Sequence, residues 1–152
     1  MSPEHAFVTA ATELDLVELV SAGDRLVRLR RCTVDSLRKY AYSYRGPGAP
    51  AAQRAVSLVR ERVDSIRETR LRLCLVIAGL PEPWCNVVLG TDDHPIGRVD
   101  LLLDGYFVII EYDGDQHRID KAQWATDITR NEKFVAEGYR IIRVTAGLAV
   151  RT

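Results

Sequence analysis

Three acidic residues and one histidine crowd the end of a single apolar run. In "IIEYDGDQHR" (109–118), Glu111 interrupts the hydrophobic stretch, and Asp113, Asp115 and His117 follow at every second position. A further acid, Asp100, interrupts "VDLLLD", another run that otherwise reads as a core strand. Burying carboxylates is costly unless something positive pairs with them. Strand side chains alternate faces with period two, so Ile109, Glu111 and Asp113 share one face. Asp104-Gly105 reads as a two-residue hairpin turn. That turn pairs Leu103 with Tyr106, sets Asp100 opposite Ile109 and Arg98 opposite Glu111, and makes Asp100 and Glu111 diagonal neighbours, roughly 7–8 Å apart. Like charges at that separation need compensation. A divalent cation supplies it, and hard oxygen ligands favour magnesium or manganese. Such an ion polarises a phosphodiester, activates a water and stabilises the leaving oxygen.

Each residue also has a plainer reading. Asp113-Gly114-Asp115 suits a solvated turn, Arg98 and Glu111 suit a cross-strand ion pair, and Glu68 suits a helix cap. His117 suits a solvated loop, and "TDDHP" (91–95) a turn between strands.

The elements that must position these residues follow from the wider pattern. The chain has 152 residues, enough for one core with a small appendage, and 47% are apolar, ordinary for a globular protein. No apolar run reaches membrane-span length and the N-terminus lacks a signal pattern, so a cytoplasmic location is expected. Three cysteines without CxxC spacing argue against a disulfide framework or structural zinc. The formal charge is zero but unevenly spread. Residues 1–75 carry 13 basic against 9 acidic residues, and 76–152 carry 8 against 12. Arginine makes up 18 of the 21 basic residues, which suits phosphate recognition and equally suits a genome rich in GC.

The first half reads as helices. Leu14, Val17, Leu19 and Val20 mark one that ends near "SAGD", and Thr33 caps another carrying Leu37, Tyr40 and Tyr44. "RGPGAP" (45–50) is a linker or loop, after which Val56, Val59 and Val63 form an apolar stripe. Ser65 and Glu68 match a capping box at the head of a further helix, which Gly79 and Pro81 stop and whose apolar second half should be buried. Past Pro83, "WCNVVLG", "IGRVDLLLD" and "YFVIIEYD" read as three strands. A helix from about Lys121 to Glu137, stopped by Gly138, and a last strand "YRIIRVTA" follow. The expected class is α/β (α+β), with a helical module over 1–62 and an acidic-site domain over 63–152.

Taken in order, "ETRLRLCLVIAGLP", "GRVDLLLDGYFVIIEYDGDQHR", Trp124, Asp127 and Arg130 in "W..D..R", and "EGYRIIRVTA" resemble the restriction-endonuclease-like, or PD-(D/E)xK, superfamily. The similar branch is a group of bacterial proteins related to very-short-patch-repair endonucleases, and the resemblance covers about residues 64–147. It implies a mixed sheet built as helix, three strands, helix and strand. It casts Glu68 as the acid of the first core helix, Asp100 as the principal metal ligand and Glu111 as the acid of the third strand. Asp113 stands where the family pattern has lysine, which leaves open which group orients the attacking water. His117 is a candidate helper, since a neutral imidazole accepts a proton near physiological pH. Trp124 is expected to pack on the sheet, and Asp127 with Arg130 to form a structural pair or contact phosphate. Longer relatives carry an N-terminal winged helix, which the resemblance leaves outside this chain, and some resemble antitoxin components.

The function implied is a magnesium-dependent endonuclease cutting DNA, in repair, defence or a toxin–antitoxin setting. The alternatives are an inactive nuclease-fold module that binds nucleic acid or a partner protein, and a metal-dependent phosphatase or nucleotide hydrolase. A homodimer, or a protein partner on the N-terminal helices, is compatible with either of the first two.

Overall fold

Side-chain caps set where the N-terminal helices begin. Ser2 accepts the His5 N–H at the head of α1 (Pro3–Ala10). Asp15 and Glu18 form a reciprocal capping box that opens α2 (Leu16–Arg28). Thr33 caps α3 (Val34–Ser43) as expected, in a box completed by Ser36. The "RGPGAP" break is shorter than expected, because its last two residues, Ala49 and Pro50, already form the first turn of α4 (Ala49–Leu58), which starts from Gly48 at φ 80°. It is a loop within one core, because Leu37 and Ala41 of α3 share an apolar cluster with Ala52, Ala55 and Val56 of α4. Phe7, Val8, Leu19 and Val20 complete that cluster.

Two details of the helical region differ from expectation. α2 does not end near "SAGD" but runs through it to Arg28. Gly23 stops nothing. A Cβ there would lie 2.5 Å from Val59 Cγ2 and 3.0 Å from Phe7 Cε2, so its missing side chain admits close packing. Val59 and Val63 are buried as the stripe required, but both lie beyond the end of α4.

At the head of α5 (Ile66–Ile77), Ser65 Oγ accepts the Glu68 N–H as the expected capping box requires, while the Glu68 carboxylate reaches back to the Asp64 N–H. Its apolar second half is less buried than expected. Leu71, Arg72 and Leu73 are buried, Cys74 to Val76 are half-buried, and Ile77 is exposed. The chain divides into two compact units, Met1–Leu73 and Cys74–Thr152, and the change falls at this point inside α5.

The second unit is built on β1 (Trp84–Gly90), β2 (Pro95–Leu103), β3 (Val108–Asp113), α6 (Lys121–Ala136) and β4 (Arg140–Thr145). The strands form one sheet in the order β1-β2-β3-β4, antiparallel at the first two junctions and parallel at the third. The computed structural model describes residues 1–113 and 121–145, and of Asp113 and residues 121–125 it describes the backbone alone. Its class is mixed α/β, with six helices and a four-stranded open sheet among the described residues. Leu89, Val99, Leu102 and Ile109 from the sheet and Phe134 from α6 form the core of this unit.

The β2–β3 hairpin departs from the two-residue turn. Asp104–Tyr106 form a short 3-10 turn, and Phe107 follows in the left-handed region at φ 53°, its N–H donating to Asp104 O over 3.1 Å. Leu103 therefore pairs with Val108 instead of Tyr106. Phe107 is also committed elsewhere: its carbonyl accepts Arg140 N–H at 2.8 Å, and its ring packs 5.6 Å from Tyr139. The start of β4 thus claims the residue that a tight turn would have placed in the hairpin ladder.

Candidate functional site

The longer loop moves the register by two residues, which preserves every face and changes every cross-strand neighbour. Backbone pairing between β2 and β3 runs from Leu103↔Val108 to Leu101↔Ile110. One step further along that register, Asp100 meets Glu111 directly instead of diagonally. The ladder stops there, and Asp100 Oδ2 takes over as acceptor for the Tyr112 N–H at 2.9 Å. Asp100 thus ends the pairing that positions it.

Glu111 is half-buried, its side chain 14% exposed, and its Oε1 accepts from Arg130 Nη2 at 3.0 Å. Arg130 comes from α6, where it also lies 3.9 Å from Asp127, one turn earlier. Its reach to Glu111 depends on Gly97 of β2. A Cβ there would fall 2.8 Å from Arg130 Cδ, so the arginine stem lies against bare backbone. The guanidinium carbon is 5.9 Å from the centre of the Phe134 ring, and Nε is buried without a hydrogen-bond partner among the described residues. On the other side, Arg143 of β4 is the ladder partner of Glu111.

Opposed influences act on the Glu111 carboxyl. Burial pushes it above the ordinary glutamate range, and Arg130 pulls it back. Asp100 raises it, Arg143 lowers it and Asp127 raises it. The repulsion from Asp100 is the electrostatic sign of the convergence expected from the strand pattern. The compensating charge is a guanidinium from α6, and not Arg98, which registers with Val88 of β1 and is exposed.

The remaining expected residues fall in three places. Glu68 lies in the first unit with both oxygens in its cap: Oε2 accepts Asp64 N–H at 2.9 Å and Oε1 accepts Ser65 Oγ–H at 2.9 Å. Asp113 continues β3, its backbone in register with Thr145, and its side chain lies outside the description. Asp115 and His117 lie outside the described residues, as does the Trp124 side chain. The "TDDHP" segment is a turn, closed by reciprocal backbone bonds between Thr91 and His94. Sequence reasoning paired Arg130 with Asp127 and missed Glu111. The available signal was a glycine in β2 together with an arginine on the helix that packs over that strand.

A hard cation fits this pair in part. Asp100 Oδ1 and Glu111 Oε2 have no hydrogen-bond partner among the described residues, while the other oxygen of each is engaged. Among the described residues, no group of three or more His, Cys, Asp or Glu side chains is gathered to hold a metal. The chain matches no protein-family model, no curated protein and no solved structure.

Proposed function

We propose that the protein is a metal-dependent endonuclease that hydrolyses DNA phosphodiester bonds on a restriction-endonuclease-like core. The observation that carries this reading is the facing pair Asp100 and Glu111, held on adjacent strands despite mutual repulsion. The order α5-β1-β2-β3-α6-β4 and the mixed sheet support it as well. Asp100 Oδ1 and Glu111 Oε2 would hold magnesium or manganese, with Asp113 as a third ligand. The ion supplies Lewis acidity to the phosphodiester when bound. Asp100 and Glu111 fix where the scissile phosphate is held. Arg130, already at the pair, adds a fork suited to a non-bridging phosphate oxygen. Asp113 adds charge and orients water, and His117 accepts the proton of the attacking water; Glu68, whose two oxygens serve the α5 cap, is left out of this reading.

The test is cleavage of plasmid and single-stranded DNA by the purified protein with magnesium or manganese, beside Asp100→Ala. Loss of cleavage by about a hundredfold or more is expected, the scale of removing a preorganised charge-stabilising group. Undiminished cleavage in the variant would overturn the assignment.

One observation favours a second reading, a nuclease-fold module that binds without cutting. Arg130 already neutralises Glu111 at 3.0 Å, so the acidic pair is compensated from within the protein. Titration calorimetry with manganese separates the two. Binding that Asp100→Asn abolishes supports the nuclease, and absence of binding supports the module.

A further inference from the structure

We propose that the end of α2 and the segment leading into α5 form a docking surface for the phosphate backbone of a nucleic acid. The stretch "RLVRLRR" (25–31) carries four arginines and no acid, and all four arginines are exposed. Arg25 and Arg28 lie in the last turn of α2, where the helix dipole alone accounts for positive charge. Arg30 and Arg31 lie beyond it and have no such account.

Arg30 holds the left-handed position that closes the helix, at φ 53°. Its N–H donates to Val27 O at 2.9 Å, and Arg31 N–H donates to Leu26 O at 3.0 Å. Glycine is the residue that takes this position without steric cost. A second arginine, Arg62, is held at φ 60°. Among the described residues four non-glycine residues have positive φ, and these two arginines are half of them. At Arg30 the turn does not explain the arginine, since glycine would take that backbone position at less cost.

The two segments are joined. Arg28 Nη1 donates to Asp64 O at 2.7 Å, and Arg60 N–H donates to Asp24 Oδ1 at 2.8 Å, so each segment holds the other. The buried Asp24 carboxylate fixes the spacing of the charges above it. Within 25–31 and 60–64, Glu61 is the one exposed acid, against five exposed arginines.

A nucleic acid suits this surface better than a lipid headgroup layer. Arginine forks match phosphate oxygens in pairs. Insertion into a bilayer needs an apolar face beside the charges, and Leu29 is the one large apolar side chain that 25–31 and 60–64 expose. The inference goes beyond the proposed hydrolysis and stands whether or not Asp100 and Glu111 support cutting.

The experiment measures fluorescence anisotropy of labelled duplex and single-stranded DNA with the full chain, in EDTA so that no cleavage intervenes, over a salt series. The wild type should bind at low salt, with affinity falling steeply as salt rises. The variant Arg30→Gly should bind more weakly, with a log–log salt slope lower by about 0.9 on duplex, the value for one lost phosphate contact. Its melting temperature should equal or exceed that of the wild type, because glycine relieves the turn. Arg31→Gln, which leaves the left-handed residue untouched, should also lower the slope by about 0.9. No binding by the wild type, unchanged slopes in both variants, or tighter retention by phosphatidylserine vesicles than by DNA would each overturn the proposal.

Discussion

Among the described residues, each half of the chain contains a carboxylate–guanidinium pair at least partly withdrawn from solvent, and the two are built differently. In the first unit, Asp24 Oδ2 and Arg72 Nη2 lie 3.3 Å apart with side chains 2% and 0% exposed. Asp24 is fully engaged, accepting from Arg60 N–H and Thr69 Oγ–H as well, and Arg72 also donates to Leu58 O at 2.7 Å. These bonds tie α2 to α5 and to the chain between α4 and α5. In the second unit, Glu111 and Arg130 are closer but more open, at 3.0 Å and 14% and 29% exposed. Two further carboxylates raise the charge there, and one oxygen of Glu111 is left without a partner among the described residues. A closed pair in a sealed core is an element of folding. An open pair with surplus negative charge can exchange its cation, and this difference is why the candidate site is placed on β2, β3 and α6.

The comparison can be broken at its strong end first. Arg72→Met should destabilise the protein by about 3–5 kcal/mol in urea unfolding, because it strands a buried carboxylate. Burial already pushes the Asp24 carboxyl above the ordinary aspartate range, against the pull of Arg60, Arg72 and Thr69. A raised folded-state value means stability that is fully present below the unfolded value and lost as pH rises through the folded one. Removing Arg72 removes one of the lowering influences. The destabilisation in Arg72→Met should therefore grow as pH rises above the ordinary aspartate range, and a loss that shrinks with pH would refute this account.

At the open pair the expected effects are smaller and of another kind. Arg130→Ala should cost less than about 1 kcal/mol of stability, the scale of a partly solvated ion pair. It should also tighten manganese binding by about fivefold, since the ion no longer competes with a guanidinium worth ~1 kcal/mol. Gly97→Val should reproduce part of that gain by pushing the arginine stem off the strand. Calorimetry checks both. Equal unfolding losses for Arg72→Met and Arg130→Ala would erase the distinction between the two pairs.

Much of this was legible in the residues, and the remainder failed for identifiable reasons. Helix starts at Thr33 and Ser65 were readable because capping is local chemistry. Strand identities and the shared face of Asp100 and Glu111 were readable because alternation survives any slide of two residues. The hairpin register was not, because the Phe107 carbonyl answers to Arg140, 33 positions later. Gly23 misled for a similar reason: its role is set by Val59 and Phe7, which the local sequence does not contain. Arg130 was assigned to its helix neighbour Asp127 by spacing, while its shorter contact is with a strand. The Asp24–Arg72 pair left no local signal, since its members are 48 residues apart.

The displaced hairpin register has a consequence for how the chain folds. Asp104-Gly105 is a competent tight turn, so a second hairpin is available to β2 and β3 with every strand residue two places out of step. Such a mispaired hairpin buries the same apolar side chains as the native one, so hydrophobic collapse does not reject it. Rejection comes from the contacts that read register, namely the Tyr112 N–H on Asp100, the Arg140 N–H on Phe107 O and Arg130 on Glu111. Two of these require β4 or α6 to have arrived. Register is therefore read partly by contacts from outside the hairpin, and the acidic residues of the candidate site also help select the strand pairing.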